Sequence, residues 1–359
     1  MKMRYLFYKY TYKNISHIMI NMENYNSIID IDKEIIKILK NSNKDIIDNV
    51  EYNEDYSTNN LIIKRIQDIN NYRQELKKLV NMPLIKQRTP EWLEARKTRL
   101  TASDLYDSIK NNKISDNIAK KKANILKDNI NYNAIKALKW GTMFELMATR
   151  IYANINNKVY IYDFGLICDP NNEHFGASPD GINELGIMIE IKCPYSREII
   201  NDYVPEKYKL QIQGQLAVCN LKECDYIECK FLIIEENTYI EEFNDKNINH
   251  GIIAEYFKNS SKEYHYLYSD DALNASEAID NIYSKIAEFN IDNEKNDNKY
   301  EFVKFNYWKL DKINVQRIIF DNENWKIIND KINIFWEKVE NYKKLPIEKF
   351  KFINDEDDE

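Results

Sequence analysis

Glycine and proline are confined to one part of this chain, and their confinement limits how the rest can fold. All seven glycines lie between Gly141 and Gly251, and six of the seven prolines lie between Pro83 and Pro205. Glycine permits backbone conformations that other residues rarely adopt, and proline favours turns and helix starts. The distribution predicts that the tight turns and short strands of the fold lie within about 83–251.

The flanking regions lack turn-forming residues and show apolar residues at helical spacing. This spacing occurs in three stretches, residues 29–50, 59–80 and 272–290. We therefore expect three parts: a mainly helical N-terminal extension over 1–82, a central domain over 83–264, and a helical or mixed C-terminal region over 265–359 with an acidic tail. The aromatic run at 300–310 fits either a strand or an interaction surface.

The central segment alternates between helical and strand-like patterns. Pro90 starts a short helix, and residues 101–104 (TASD) fit a capping box that opens another. Further helices are predicted over 134–156 and 208–218, and strands near 159–170, within 176–194 and over 226–234. This order predicts an α/β core with a mixed central sheet.

The whole-chain totals indicate an intracellular, soluble protein of the cytoplasm, the nucleus or a viral factory. No apolar run approaches the roughly 18 residues of a membrane span, and the first residues are too polar for a signal peptide. Five cysteines without a secretory signal suggest reduced thiols. The net charge of −7 argues against a broadly basic surface but does not exclude a local basic groove.

The stretch GASPDGINELGIMIEIKCP at 176–194 carries the chemistry-bearing residues. Strand alternation places Ile189 and Ile191 on one face, and Glu190 and Lys192 on the other. Asp180 lies across the turn, so two carboxylates converge in an oxygen-rich site suited to Mg²⁺ or Mn²⁺. The alternative is a surface hairpin with a solvated Glu–Lys pair, which contributes about 0–1 kcal/mol.

Five blocks of sequence, in order, resemble the phage lambda exonuclease and YqaJ-like viral recombinase family of PD-(D/E)xK nucleases. The blocks are Trp92 through Arg96 to TAS at 101–103, ALKWGTMFE at 137–145, GASPDG at 176–181, IEIKCP at 189–194 and YKLQIQGQLAV at 208–218. The resemblance covers roughly residues 90–234. It implies a restriction-endonuclease-like core with a mixed central sheet flanked by helices, with helical N- and C-terminal additions.

The resemblance also implies the roles of individual residues. Asp180, Glu190 and the Ile191 carbonyl would bind metal, Glu145 would be a further metal or water ligand, and Lys192 would be the catalytic lysine. Gln211 is favoured as the glutamine beside the metal, because Gln213 cannot face the same way on a helix. The cofactor would be Mg²⁺ or Mn²⁺, with two ions per site.

A second group matches positions that hold the terminal 5′-phosphate of DNA in the related exonuclease. Arg96 offers a bidentate fork, and Ser103 is expected in the first turn of a helix. Ser178 completes the match, and Gln213 is grouped with these DNA-contacting residues. Each has a structural alternative: Arg96 as a surface ion pair, Ser103 as a cap and Glu145 as a solvated helix residue.

The implied function is a metal-dependent exonuclease that degrades linear duplex DNA from its 5′ end, with a role in viral-type recombination, repair or replication. A single-strand annealing protein is an implied partner, and an oligomer stays open. The alternatives are a structure- or sequence-specific endonuclease, or a DNA-binding scaffold with a decayed centre. An iron–sulfur cluster on Cys219, Cys224 and Cys229 is disfavoured, since it needs a fourth thiolate, and no role is assigned to His174.

Overall fold

The computed structural model describes residues 28–41, 60–83, 85–110, 112–126, 135–243, 249–272, 274–296 and 299–345. The expected acidic tail and the expected helical continuation over 42–50 lie outside the described residues. The described part contains no helix with the length and apolar character needed to cross a bilayer.

The sheets have a mixed strand order, which confirms the predicted α/β class. The strands are β1 Leu100–Thr101, β2 Ile161–Tyr162, β3 Ile167–Asp169, β4 Asn172–Ala177, β5 Gly181–Asn183, β6 Met188–Lys192, β7 Glu223–Ile234, β8 His250–Lys258, β9 Glu263–Tyr268 and β10 Tyr300–Ile319. One sheet has the order β2-β5-β6-β7-β10-β8-β9, and the smaller sheet has the order β1-β4-β3. In the larger sheet β6 and β7 are parallel, and the other neighbours are antiparallel.

Helices cover the larger sheet and carry part of the predicted site. They are α1 Ile28–Asn41, α2 Asn60–Val80, α3 Pro90–Lys97, α4 Leu105–Ser108, α5 Lys113–Lys122, α6 Lys136–Ile155, α7 Glu206–Cys219, α8 Glu236–Glu242, α9 Ala275–Lys295 and α10 Asn322–Lys343. The helices predicted over 134–156 and 208–218 correspond to α6 and α7. The short helix predicted at Pro90 is α3, with Thr89 as its N-cap.

Strand β6 is buried on both faces. Ile187, Ile189 and Ile191 pack in one hydrophobic cluster with α6, and Met188 packs in another with α7. The predicted alternation is therefore confirmed, but the alternative of a solvated surface hairpin is wrong. The physical reason is that α7 covers the face that carries the charged side chains.

The C-terminal addition is not helical throughout, because residues 300–319 form β10. This strand pairs with β7 along Tyr307–Ile319 and with β8 along Tyr300–Lys309, so it lies inside the sheet. The aromatic run at 300–310 is therefore a strand. The domain boundaries at residues 83 and 264 stay a prediction. Hydrogen bonds between β8 and β9 connect residues before position 264 with residues after it.

A buried ion network joins the N-terminal helices to the sheet. Arg65 on α2 donates to Asp32 on α1 and to Glu223 on β7, and Arg317 on β10 contacts Asp32, Glu223 and Asp225. Buried charges are costly unless they are paired and hydrogen-bonded. The network therefore requires α1, α2, β7 and β10 to assemble together.

The five cysteines are free thiols, and four of them are divided between the two faces of the larger sheet. Cys219 and Cys224 belong to the hydrophobic cluster on the α7 side, and Cys193 and Cys229 belong to the cluster on the α6 side. Thiolates on opposite faces of a sheet cannot ligate one cluster. This arrangement agrees with buried reduced cysteines.

Candidate active site

A hydrogen bond to the backbone of β6 fixes the side chain of Asp180 beside that strand. Its Oδ2 accepts a hydrogen bond of 2.7 Å from the N–H of Ile191. In a strand the N–H and C=O of one residue point to the same side, so the Ile191 carbonyl is directed towards the side that holds Asp180. A Cβ at position 181 would lie 2.6 Å from Ile161 Cγ2, so any other residue there would displace the Ile161 side chain. The carboxylate of Asp180 and the carbonyl of Ile191 therefore lie on the same side of β6.

Glu190 is a fully buried carboxylate with a donor on each oxygen. Its side chain is 0% exposed, and Oε1 accepts hydrogen bonds from Lys192 Nζ and from Gln211 Nε2, the latter at 2.7 Å. Oε2 accepts a hydrogen bond of 2.7 Å from Gln215 Nε2. A buried charge is tolerated when its lone pairs are satisfied and an opposite charge is adjacent. Glu190 is thus held in a fixed orientation by donors on both of its oxygens.

The charges of the site are strongly coupled. Burial raises the pKa of Asp180 well above its usual value, and the negative charges of Glu190 and Glu145 raise it further. Burial opposes the charge of Lys192, but the Glu190 and Asp180 carboxylates raise the pKa of this lysine above its usual range. Lys192 is therefore protonated at neutral pH.

Helix α7 positions the glutamines according to their helical face. Gln211 and Gln215 are four residues apart and both donate to Glu190. Gln213 instead donates to the Ile319 carbonyl at 2.9 Å and accepts from the Asp321 N–H at 2.8 Å. The preference for Gln211 over Gln213 beside the carboxylate is consistent with this geometry. Gln215 was missed by sequence reasoning, although its four-residue spacing from Gln211 was a usable signal.

Helix α6 brings Glu145 towards the same group, where it meets an unexpected partner. Arg88 Nη2 donates to Glu145 Oε2 over 2.8 Å, and the two side chains are 56% and 36% exposed. The sequence offered no periodic or motif signal for Arg88. Glu145 is therefore neither buried nor simply solvated, and its contact with the site is electrostatic through Asp180.

The helical face of Glu145 is packed at one end and open at the other. Ala148 and Tyr152 are buried. A Cβ on Gly141 would meet no atom within 4 Å. The face of α6 that carries Glu145 is therefore packed at Ala148 and Tyr152 and borders open space at Gly141, one turn before Glu145.

The predicted phosphate-binding residues gather around Trp92. The Arg96 guanidinium lies 4.2 Å from the centroid of the Trp92 ring, and its Nη2 donates to Ser103 Oγ at 3.3 Å. Trp92 Nε1 donates to Ser178 Oγ at 3.0 Å. Arg96, Ser103 and Ser178 are thus brought together, and Ser178 lies two residues before Asp180.

The backbone around Ser103 differs from the predicted capping box. Residues 102–104 form a 3₁₀ turn that leads into α4, and the Thr101 side chain makes no capping hydrogen bond. Instead, Thr101 Oγ1 donates to Asp104 Oδ2 at 3.1 Å and contacts Ser103 Oγ at 3.0 Å. The prediction of a helix start is correct, but the predicted cap is wrong, because the Thr101 hydroxyl bonds to side chains.

All the predicted site residues fall within a segment that matches one family model. Residues 91–222 match the YqaJ-like viral recombinase domain. The domain begins in α3 and ends just before β7, so Arg88 and the strands β7–β10 lie outside the matched residues.

Known proteins resemble parts of the chain. A protein of Acanthamoeba polyphaga mimivirus, the uncharacterized protein R354, is 31% identical over 183 residues, which is 45% of this chain and 32% of that protein. The chain thus spans about a third of the length of this relative. Two solved structures are similar. The alkaline exonuclease LHK-Exo of Laribacter hongkongensis has a TM-score of 0.41 and 19% identity, and the match covers 73% of this chain and 96% of that chain. A phage-related exonuclease of Haemophilus somnus has a TM-score of 0.35 and 14% identity, and the match covers 68% of this chain and 93% of that chain.

The donor set around Asp180 and Glu190 fits a hard divalent cation. Within the described ranges, no three carboxylate, histidine or cysteine side chains are close enough to hold a metal ion by themselves. The available ligands are instead two carboxylates, those of Asp180 and Glu190, with the Ile191 carbonyl, and oxygen ligands of this kind suit Mg²⁺ or Mn²⁺. Two cations, Lys192 and Arg88, neutralise the surrounding carboxylates. The chemistry of these groups is that of a cation site.

Proposed function

We propose that this chain is a metal-dependent DNA exonuclease that hydrolyses one strand of linear duplex DNA from its 5′ end. The observation that carries the proposal is the meeting of Asp180, the Ile191 backbone and the buried Glu190–Lys192 pair within a YqaJ-like domain. This combination offers oxygen ligands together with a protonated amine. We expect two Mg²⁺ or Mn²⁺ ions per site, bound by Asp180, Glu190, the Ile191 carbonyl and Glu145.

Each residue has a distinct task in this proposal. The ions supply Lewis-acid activation of the phosphodiester and of the attacking water. Lys192, protonated at neutral pH, orients the water or stabilises the charge that develops on the phosphate oxygens. Gln211 and Gln215 hold the Glu190 carboxylate in one orientation, so that ligand geometry does not have to be organised during the reaction.

The group around Trp92 supports recognition of a 5′-phosphate. A guanidinium binds phosphate through two parallel hydrogen bonds. The hydroxyls of Ser103 and Ser178 lie in the same group of side chains around Trp92 as the Arg96 guanidinium. Because Ser178 and Asp180 belong to one short turn, a terminal phosphate bound there would lie near the hydrolytic residues. This proximity favours removal of nucleotides from an end.

The biological role is a proposal that follows from the reaction. An exonuclease that removes one strand leaves a single-stranded tail, which is a substrate for recombination, repair or replication. A single-strand annealing protein is a proposed partner on the same grounds, and the oligomeric state stays open.

The deciding experiment is a digestion time course on end-labelled linear duplexes. The duplexes would carry a 5′-phosphate or a 5′-hydroxyl, and each would be incubated with Mg²⁺ or with a chelator. We expect Mg²⁺-dependent release of mononucleotides, faster from the phosphorylated end. Arg96→Ala is expected to abolish this preference while Mg²⁺ dependence persists.

Closed circular duplex DNA provides the matched control. An exonuclease leaves it intact, because it has no end. Cleavage of the closed circle would favour an endonuclease. No digestion of either substrate in Mg²⁺ or Mn²⁺ would favour a DNA-binding scaffold and contradict the proposal.

A further inference from the structure

Arg88 is an exposed cation that contacts Glu145 from outside the matched family domain. Its Nη2 lies 2.8 Å from Glu145 Oε2, and 56% of its side chain is exposed. The matched domain begins at residue 91. An ion pair this exposed contributes little to stability, because water and salt screen it. Stability therefore does not account for the position of Arg88.

The backbone of Arg88 is held in an uncommon conformation. Its φ is +65°, in the left-handed region that favours glycine. Non-glycine residues persist there when the neighbouring structure fixes them, and such residues are concentrated at functional sites. Contacts of the neighbouring residues must therefore hold the backbone of Arg88 in this conformation.

The residues on both sides of Arg88 are anchored. Ile85 forms an antiparallel bridge with Leu166, and Gln87 Nε2 donates to the carbonyls of Phe164 at 2.8 Å and Pro179 at 3.2 Å. Thr89 caps α3 through its hydroxyl. Arg88 is thus carried on a segment fixed to both the turn of Asp180 and the helix of Arg96.

We propose that Arg88 is a substrate-binding residue that holds Glu145 in the metal-free protein and binds a phosphate oxygen of the DNA strand when Glu145 ligates a divalent cation. This inference rests on the proposed nuclease function. It assigns to DNA binding a residue that lies outside the family domain and outside the predicted phosphate group.

The chemistry of the exchange follows from charge. A divalent cation held by Glu145 would neutralise the carboxylate and so remove the partner of Arg88. The guanidinium retains its charge, and its planar fork matches the non-bridging oxygens of a phosphodiester. Because Gln87 donates to the Pro179 carbonyl and Asp180 follows Pro179, the segment that carries Arg88 lies close to the proposed hydrolytic residues.

The test replaces Arg88 by asparagine, since asparagine is neutral and tolerates a left-handed backbone. The matched control is Lys326→Ala, which removes the cation of an exposed ion pair with Glu323 on α10. Binding of a fluorescent duplex would be measured by anisotropy in Ca²⁺, which replaces the catalytic ions, over a range of salt concentrations. Affinity for Mn²⁺ without DNA would be measured by electron paramagnetic resonance.

We expect Arg88→Asn to lower the slope of log affinity against log salt by about one, because one phosphate contact is lost. Its Mn²⁺ affinity should rise severalfold, since the competing cation is gone. Lys326→Ala should change neither quantity, and Arg88→Lys should retain most of the wild-type salt slope. The melting temperature of each variant would confirm that it is folded.

Two outcomes would overturn the inference, and they are distinguishable. An Arg88→Asn protein with the wild-type salt slope and Mn²⁺ affinity, compared with a wild type that binds and digests DNA, would show that Arg88 only forms an ion pair. A wild type that neither binds nor digests DNA would overturn the proposed function, and the inference with it. Unfolding of Arg88→Asn would transfer the test to Arg88→Gly, which suits the same φ.

Discussion

Gln215 Nε2 donates a hydrogen bond of 2.7 Å to Oε2 of the fully buried Glu190 carboxylate. Gln211 donates to the other oxygen from one turn earlier on α7. The two glutamines thus donate hydrogen bonds to the two oxygens of one carboxylate. This relationship makes Gln215 the residue through which α7 restrains the second oxygen of Glu190.

Replacing Gln215 by leucine is expected to lower both stability and metal affinity. The change removes a hydrogen bond to a buried charge, which stabilises a protein by about 1.5–3 kcal/mol. Glu190 Oε2 would lose its donor, and the carboxylate would lose its fixed orientation. Urea unfolding and Mn²⁺ titration would measure the two effects.

Gln213→Leu is the control on the same helix. Gln213 bonds to Ile319 and Asp321 but not to Glu190, so we expect a loss of stability with unchanged Mn²⁺ affinity. Equal Mn²⁺ affinity in the Gln215 variant and the wild type would contradict the assigned role of Gln215.

Two glycine substitutions should have opposite effects on stability. Gly141→Ala adds a methyl group in open space on α6 and should raise the free energy of unfolding by up to about 1 kcal/mol, because glycine disfavours helix. Gly214→Ala on α7 would bring Cβ to 3.0 Å from Phe175 Cζ and 3.3 Å from Ala102 Cβ. Such overpacking costs about 1–3 kcal/mol. Thermal unfolding of both variants measures the two changes in stability. A Gly141→Ala protein less stable than the wild type would show that the space beside Gly141 is filled.

The buried ion network predicts a loss of stability in acid. Burial opposes ionisation of Glu223, yet the hydrogen bond from Arg65 and the charge of Arg317 hold the pKa of Glu223 below its usual value. A carboxyl whose pKa is lower in the folded state contributes stability above its unfolded pKa of about 4.5, and that stability is lost as pH falls through the lower, folded value. The free energy of unfolding should therefore decrease as the pH is lowered below about 4.5.

Glu223→Gln tests the network directly. The substitution leaves Arg65 and Arg317 with less negative charge in a buried site, and breaking such a pair costs about 3–5 kcal/mol. The variant should be less stable at pH 7, and its stability should depend less on pH below 4.5. Parallel urea titrations at several pH values give the comparison, and identical pH profiles would refute the role of Glu223.

The arrangement of the proposed hydrolytic residues was predictable from sequence because these residues lie in short, patterned stretches. Alternation along β6 separates Ile189 and Ile191 from Glu190 and Lys192, and the structure has this separation. Helical geometry likewise separates Gln211 from Gln213. In both cases the backbone period alone determines which side chains share a face.

The residues that sequence reasoning missed depend on contacts between distant segments. Arg88 meets Glu145 across 57 residues, with no periodic pattern to relate them. Strand β10 entered the sheet between β7 and β8, although its aromatic run left a strand and an interaction surface equally plausible. The burial of Glu190 was also missed, because alternation predicts a shared face but not that α7 covers it.

The central claim is that Lys192 and its neighbouring carboxylates perform metal-dependent hydrolysis of DNA. The most direct measurement is the initial rate of mononucleotide release from a 5′-phosphorylated linear duplex in Mg²⁺, for the wild type and for Lys192→Met. We expect the variant to be slower by about a hundredfold to a thousandfold, with a Mn²⁺ affinity at least as high as that of the wild type. Equal rates in the two proteins would contradict the claim.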